Sequence, residues 1–116
     1  MGNMSGHGPP VSPEDAKARM GRMYQAQCVK DETMAESIIR ARSQSPNSLV
    51  INYNGAFHSD YRLGTAARVT RRLKNAKVKI VSALPVKDLD SITQDKDRKR
   101  GDYLIFTLMP VGTKDL

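Results

Sequence analysis

The sequence predicts an α/β fold: a small, mostly parallel sheet of about three strands with flanking helices. Apolar residues recur at helical spacing over 13–44 and again over 64–75, and short β-rich apolar runs occupy 49–53, 78–81 and 103–109. The order is therefore helix, strand, helix, strand, loop, strand. A strand–helix–strand unit predicts a parallel pair of strands with a right-handed crossover.

The first helix has a clear start and an apolar stripe. Ser12 can cap it, and Pro13 suits the first helical position. We expect one long helix, or two helices with a break near Asp31. An apolar stripe at helical spacing predicts a buried face of this helix; the stripe includes Met20, Met23, Tyr24, Cys28 and Met34. For the methionines of the stripe, ligation of haem iron is the alternative.

Length and composition indicate one small domain of 116 residues. We divide it into a flexible leader (1–11), an α/β domain (12–110) and a C-terminal tail (111–116). One cysteine excludes an internal disulfide, and no apolar run approaches the roughly 18 residues of a transmembrane helix. Because a parallel sheet normally needs cover on both faces, we expect either half of a larger domain or a homodimer that completes the sheet.

The net charge of +7 is concentrated in the second half of the chain. Residues 1–60 carry six basic and six acidic side chains, whereas residues 61–116 carry thirteen basic and six acidic ones. This asymmetry indicates either an anionic partner, such as nucleic acid, a membrane surface or a ligand with carboxylates, or a surface that is simply well solvated. The basic run over 96–100 is interrupted by acids and has no interleaved aromatics, which disfavours nucleic acid.

The loop after the first predicted strand holds the candidate site. It presents His58, Asp60 and Tyr61 just before a helix, and ligands of open α/β sheets bind beyond the carboxyl ends of the strands. Imidazole and phenolate both bind haem iron. Gly55 would let the backbone bend so that His58 projects. The simpler interpretation is a polar surface histidine, with Tyr61 as a loop anchor and Asp60 as a helix cap.

Four stretches of residues 20–109 carry a family resemblance. They are Ala26-Gln27 with Asp31 and Met34-Ala35, Gly55-x-x-His58 with Gly64, Ala67-Arg68 through Arg71-Arg72-Leu73, and Gly101-Asp102-Tyr103. In this ordered set the chain resembles the C-terminal half of the haem-binding-uptake, ChaN-like family of the Tiki/TraB-like group. The family's N-terminal half, with its strand-end Glu and His motif, and its lipoprotein signal have no counterpart in this sequence.

The resemblance implies an α/β domain that handles haem or iron, typically in a bacterial periplasm or envelope. It implies that Gly55 and His58 line the site and that Asp31 lies near it. Members of the family hold haem iron through tyrosine, for which Tyr61 is the nearest candidate by position. Arg68, with Arg71 and Arg72 beside it, could pair with the haem propionates, although a solvated helix face is the more common explanation for such arginines.

The sequence therefore predicts a haem- or iron-binding protein without a catalytic residue that can be named. The cofactor-binding candidates are Gly55, His58, Tyr61 and Arg68, and the candidate metal ligands are His58, Tyr61 and Asp31. One alternative is a metal-dependent hydrolase holding a divalent ion, which needs about three protein ligands. The other is a basic nucleic-acid-binding module, whose binding would depend strongly on salt.

Overall fold

Two helices and a two-stranded parallel sheet make up the fold in a computed structural model that describes residues 10–93 and 95–110. The α/β class is confirmed. The predicted tail, most of the predicted leader and His7 lie outside the described residues. The elements, in chain order, are α1 (Pro13–Gln44), 3₁₀ turns at Ala56–His58 and Asp60–Arg62, α2 (Gly64–Arg72), β1 (Val81–Val86) and β2 (Tyr103–Leu108).

Helix α1 is continuous and begins where the sequence predicts. The Ser12 hydroxyl accepts a hydrogen bond from the Asp15 backbone N–H at 3.1 Å. The predicted buried stripe is wrong over the first half of the helix: Met20 and Met23 are 71% and 58% exposed. Residues 10–26 are all exposed, and only the second half of α1 packs against α2. Periodicity identified a helical face, but no other element of the described residues covers it there.

Helix α2 ends at Arg72, three residues earlier than predicted. Helical spacing predicts an inner face of Ala66, Val69, Thr70 and Leu73, and of these Ala66 and Val69 are buried, together with Thr65. Thr70 is an exception, because it is exposed and its hydroxyl donates to the Ala66 carbonyl oxygen at 2.9 Å. The short helix is held mainly by its contact with α1.

Within the described residues the sheet has two strands rather than three. Residues 49–53 are not paired as a strand, and Leu49 and Tyr53 are 85% and 92% exposed. Strands β1 and β2 pair in parallel from Val81↔Tyr103 to Val86↔Leu108. The strand–helix–strand prediction is therefore wrong: the connection between the paired strands is the loop 87–102, and not α2.

Strand β1 lies further along the chain than the predicted run 78–81, and it runs through Pro85. Among the described strands, β2 is its partner on one side only. A proline is tolerated where its missing N–H would face away from the partner strand. Val81, Tyr103 and Ile105 are each more than half exposed, so apolar parts of the sheet lack cover within the described chain.

Hydrogen bonds between Ile80 and the residues before β2 stabilise the start of the sheet. The Ile80 carbonyl accepts from the backbone N–H groups of Asp102 and Tyr103, at 2.8 and 3.1 Å. The Asp102 carboxylate accepts in return from the Ile80 N–H at 2.8 Å. Ile80 is itself buried, as are three apolar residues of the helices: Ala35, Ala66 and Val69. In the part of the chain that the structure describes, no helix is long and apolar enough to cross a membrane.

Candidate ligand site

A buried carboxylate on α1 organises the candidate site. Asp31 is 5% exposed, and its Oδ1 lies 2.8 Å from His58 Nδ1 and 2.8 Å from Thr65 Oγ1. The threonine hydroxyl donates to the carboxylate. Because a carboxylate is an acceptor, it favours the His58 tautomer that carries its proton on Nδ1. No described residue makes a hydrogen bond to Nε2, so none of them occupies the lone pair of that nitrogen.

Gly64 allows α2 to begin this close to the site. Its φ is +55°, and a Cβ there would lie 2.7 Å from the His58 carbonyl oxygen and 3.0 Å from Asp31 Oδ1. A side chain cannot occupy that space without moving the loop or the carboxylate. Gly55 differs from the expectation, since its φ is −69° and open space surrounds the position of a Cβ. The backbone geometry that only glycine readily adopts therefore belongs to Gly64.

A shallow groove of about 400 Å³ opens beside His58. One wall is α1, and the other is the loop that precedes the first 3₁₀ turn. We call it the His58 groove; it is lined by Val29, Lys30, Thr33, Met34, Asn54, Gly55 and His58. The predicted residues Gly55 and His58 thus lie on one surface, with Asp31 directly behind the histidine.

The arginines of α2 are neutralised by acids of α1. Arg68 Nε donates to Glu32 Oε1 at 2.7 Å, and Arg72 also pairs with Glu32. A second nitrogen of Arg68 lies 3.6 Å from Asp31 Oδ2. The hydrogen bond from Arg68 lowers the pKa of Glu32 against the opposing effect of burial. Arg68 lines a separate hollow with Cys28, so its predicted contact with a cofactor in the His58 groove stays a prediction.

Asp60 belongs to a different set of contacts. Its carboxylate accepts from the Ser82 hydroxyl and, at 2.9 Å, from Arg100. Arg100 also donates to Asp97 at 2.7 Å, and these two hydrogen bonds raise its pKa. We call Asp60, Ser82, Asp97 and Arg100 the Asp60 network. It joins the site loop to the sheet, because Asp60 lies two residues after His58.

Tyr61 is held by this network rather than by the groove. Its φ is +58°, its backbone N–H donates to the Arg100 carbonyl oxygen at 2.8 Å, and the Arg100 guanidinium lies 5.5 Å from its ring centroid. The ring is about half exposed and does not line the His58 groove. Its role as an iron ligand therefore stays a prediction.

The described residues contain no cluster of three or more His, Cys, Asp or Glu side chains able to hold a metal ion. Of the predicted ligand set, Asp31 contacts His58 through the ring nitrogen Nδ1. That contact orients an imidazole, as carboxylates commonly do behind a metal-bound histidine. In the part of the chain that the structure describes, this arrangement leaves one imidazole nitrogen without a hydrogen bond beside a partly apolar groove.

Comparison with protein families gives one match. The family described as "Haem-binding uptake, Tiki superfamily, ChaN" matches residues 1–69. The chain belongs to this family. The matched range includes Asp31, His58 and Gly64, and it ends before the Gly101-Asp102-Tyr103 stretch that also carried the resemblance. Comparisons with curated proteins and with solved structures found no match.

Sequence reasoning missed three polar residues around the candidate site. Thr65 was treated only as the start of a helix and Arg100 as part of a surface loop, while Ser82 follows the predicted strand 78–81 and was given no role. Thr65 follows Gly64 in the recognised motif, so its place next to the histidine offered a signal. Ser82 and Arg100 gave none, since their contacts with Asp60 span 22 and 40 positions of the chain.

Proposed function

We propose that this chain binds haem in the His58 groove, with His58 Nε2 as an iron ligand. The observation that carries the proposal is the 2.8 Å hydrogen bond between Asp31 and His58 Nδ1. It selects the tautomer whose free lone pair is on Nε2, and a hydrogen-bonded carboxylate raises the basicity of a ligating histidine. Membership of a haem-binding family supports the same ligand.

The chemistry of the groove fits a flat, largely apolar ligand. Val29 and Met34 offer apolar surface, and the volume of about 400 Å³ falls within the usual range for ligand pockets. An iron porphyrin needs only one or two axial protein ligands. It therefore suits a chain whose described residues group fewer ligands than a zinc site needs.

Each of the surrounding residues would have a defined task. Asp31 holds the imidazole plane and its tautomer, and Thr65 holds Asp31 by donating to the same oxygen. Glu32 keeps Arg68 occupied on the side of α1 that faces α2. When bound, haem would supply an iron centre able to change its oxidation state and its axial ligands. We infer a role in haem or iron handling rather than in catalysis.

A haemin titration followed by visible absorption tests the proposal. We expect saturable binding with a shifted Soret band in the native chain and loss of that shift in His58→Ala. Addition of free imidazole should restore the band in this variant. Asp31→Asn should weaken binding about 10-fold or more, because orientation of the ligand is lost. His7→Ala, which removes the other histidine, is the matched control and should leave the titration unchanged.

Two results would contradict the assignment. A native Soret shift in His58→Ala that disappears in Tyr61→Phe would make the tyrosine the iron ligand. An unchanged haemin spectrum in the native chain would refute haem binding altogether. Location in a bacterial periplasm or envelope, like self-association into a homodimer, belongs to the same proposal and rests on the family and on the uncovered sheet.

A further inference from the structure

Lys30 is the one lysine or arginine among the described residues that line the His58 groove. It lies one helical turn before Thr33 and Met34, so the three residues share a face of α1. Its side chain is exposed, and no carboxylate of residues 10–93 or 95–110 pairs with it. Its nearest acidic neighbours in sequence are occupied elsewhere: Asp31 by His58 and Thr65, and Glu32 by the α2 arginines.

Arg68, the cation predicted to bind the cofactor, is not available in the same way. Arg68 makes hydrogen bonds to Glu32 and to the Gly64 carbonyl oxygen, and its side chain is only 19% exposed. Recruiting it to a ligand would leave Glu32 without its principal partner. Lys30 can contact a ligand without breaking any interaction that the described residues make.

We propose that Lys30 anchors a carboxylate of a planar tetrapyrrole bound in the His58 groove, and so fixes the ligand's orientation. This inference rests on the proposed function and names the contact that would select carboxylate-bearing porphyrins. The apolar body of the ligand would lie against Val29 and Met34, its centre at His58, and its acidic edge at Lys30. An unpaired ammonium beside an apolar surface is complementary to a molecule that is apolar and anionic at once.

Three ligands distinguish the contribution of the Lys30–carboxylate contact from that of the bond to iron. Haemin has both carboxylates and iron, haemin dimethyl ester has iron but no free carboxylate, and protoporphyrin IX has carboxylates but no iron. Their affinities are measured for the native chain, Lys30→Gln, Lys30→Glu and His58→Ala. Lys17→Glu is the matched control, because it makes the same charge change on an exposed part of α1 that lies outside the groove.

We expect Lys30→Gln to weaken haemin and protoporphyrin IX about 2- to 5-fold, as for an exposed ion pair, and Lys30→Glu to weaken them further. Affinity for the dimethyl ester should not change in either variant. The effect should shrink at high salt, where exposed charges are screened. Lys17→Glu should bind all three ligands as the native chain does.

The outcomes distinguish this inference from the proposed function. If haemin binding depends on His58 but not on Lys30, the iron ligand stands and the anchor is refuted. If both free-acid porphyrins depend on Lys30 while His58→Ala has no effect, the anchor stands and iron ligation is refuted. Equal losses in Lys17→Glu and Lys30→Glu, or an equal loss for the dimethyl ester, would overturn the anchor. Binding of none of the three ligands by the native chain would overturn both.

Discussion

Replacement of Gly64 by alanine tests how closely α2 approaches the site loop. The residue has φ +55°, a conformation that costs an L-residue about 1–2 kcal/mol. A Cβ would also lie 2.7 Å from the His58 carbonyl oxygen, whereas even a close carbon–oxygen contact needs about 3.3 Å. The loop must therefore move by about 0.6 Å, and forcing extra atoms into a packed region costs about 1–3 kcal/mol more.

We therefore expect Gly64→Ala to lower the free energy of unfolding by about 2–5 kcal/mol, a large share of the stability of a small domain. Urea unfolding followed by circular dichroism measures this loss. Two other glycines are controls with different expected results. Gly55→Ala should change stability little, because its φ is −69° and its surroundings are open. Gly21→Ala, inside α1, should stabilise by up to about 1 kcal/mol.

If the alanine variant does not fold, Gly64→Asn distinguishes the cost of the positive φ from the cost of the steric contact. Asparagine tolerates positive φ better than alanine but still carries a Cβ. It should therefore recover part of the backbone cost and retain the steric one. A loss below about 0.5 kcal/mol in Gly64→Ala, or a loss equal to that of Gly55→Ala, would refute the close approach and the site geometry that depends on it.

Three further predictions concern the sheet and its attachments. The hydrogen bond from the Ile80 N–H, aided by nearby cations, lowers the pKa of Asp102. The ionised Asp102 carboxylate therefore stabilises the fold above pH 3.8, its ordinary pKa, and this stabilisation is lost as the pH falls through the lower pKa of the folded state. Asp102→Asn should reduce this loss of stability in acid, measured by unfolding at several pH values, and an unchanged pH profile would contradict the prediction. Arg100→Gln should cost about 2 kcal/mol by leaving the Asp60 carboxylate short of a partner, with Lys99→Gln as a neutral control in urea unfolding. Equal stabilities of these two variants would disprove the role of the Asp60 network. The uncovered strands should associate into a homodimer, which a monomeric mass by light scattering at high protein concentration would rule out.

Local patterns predicted the helices better than the strands. The start of α1 at Ser12 and Pro13 depends on side chains next to each other in the chain, so the sequence contains all that is needed. The run 49–53 has the composition of a strand, but a strand requires a partner with matching register, and the described chain provides none for it. Burial of Met20 and Met23 failed for the same reason, since it depends on a neighbour.

In the candidate site, too, the sequence predicted local features and not contacts between distant residues. His58 stood out because a histidine after a β-rich run is conspicuous, and the family motif drew attention to Asp31. Their 2.8 Å contact joins residues 27 positions apart and depends on how α1 meets the loop. The importance of Gly64 over Gly55 could not be read from composition, because both are glycines in turns and only the approach of α2 distinguishes them.

The His58 groove exists only when α1 and the site loop have docked, since its walls come from residues 29–34 and 54–58. An unfolded chain has no such surface, so a ligand that binds there also favours folding. At a free ligand concentration 100 times Kd, this linkage adds about 2.7 kcal/mol to the stability of the folded state. Because unfolded chains are the ones that cells degrade, the amount of this protein should rise and fall with the supply of its ligand.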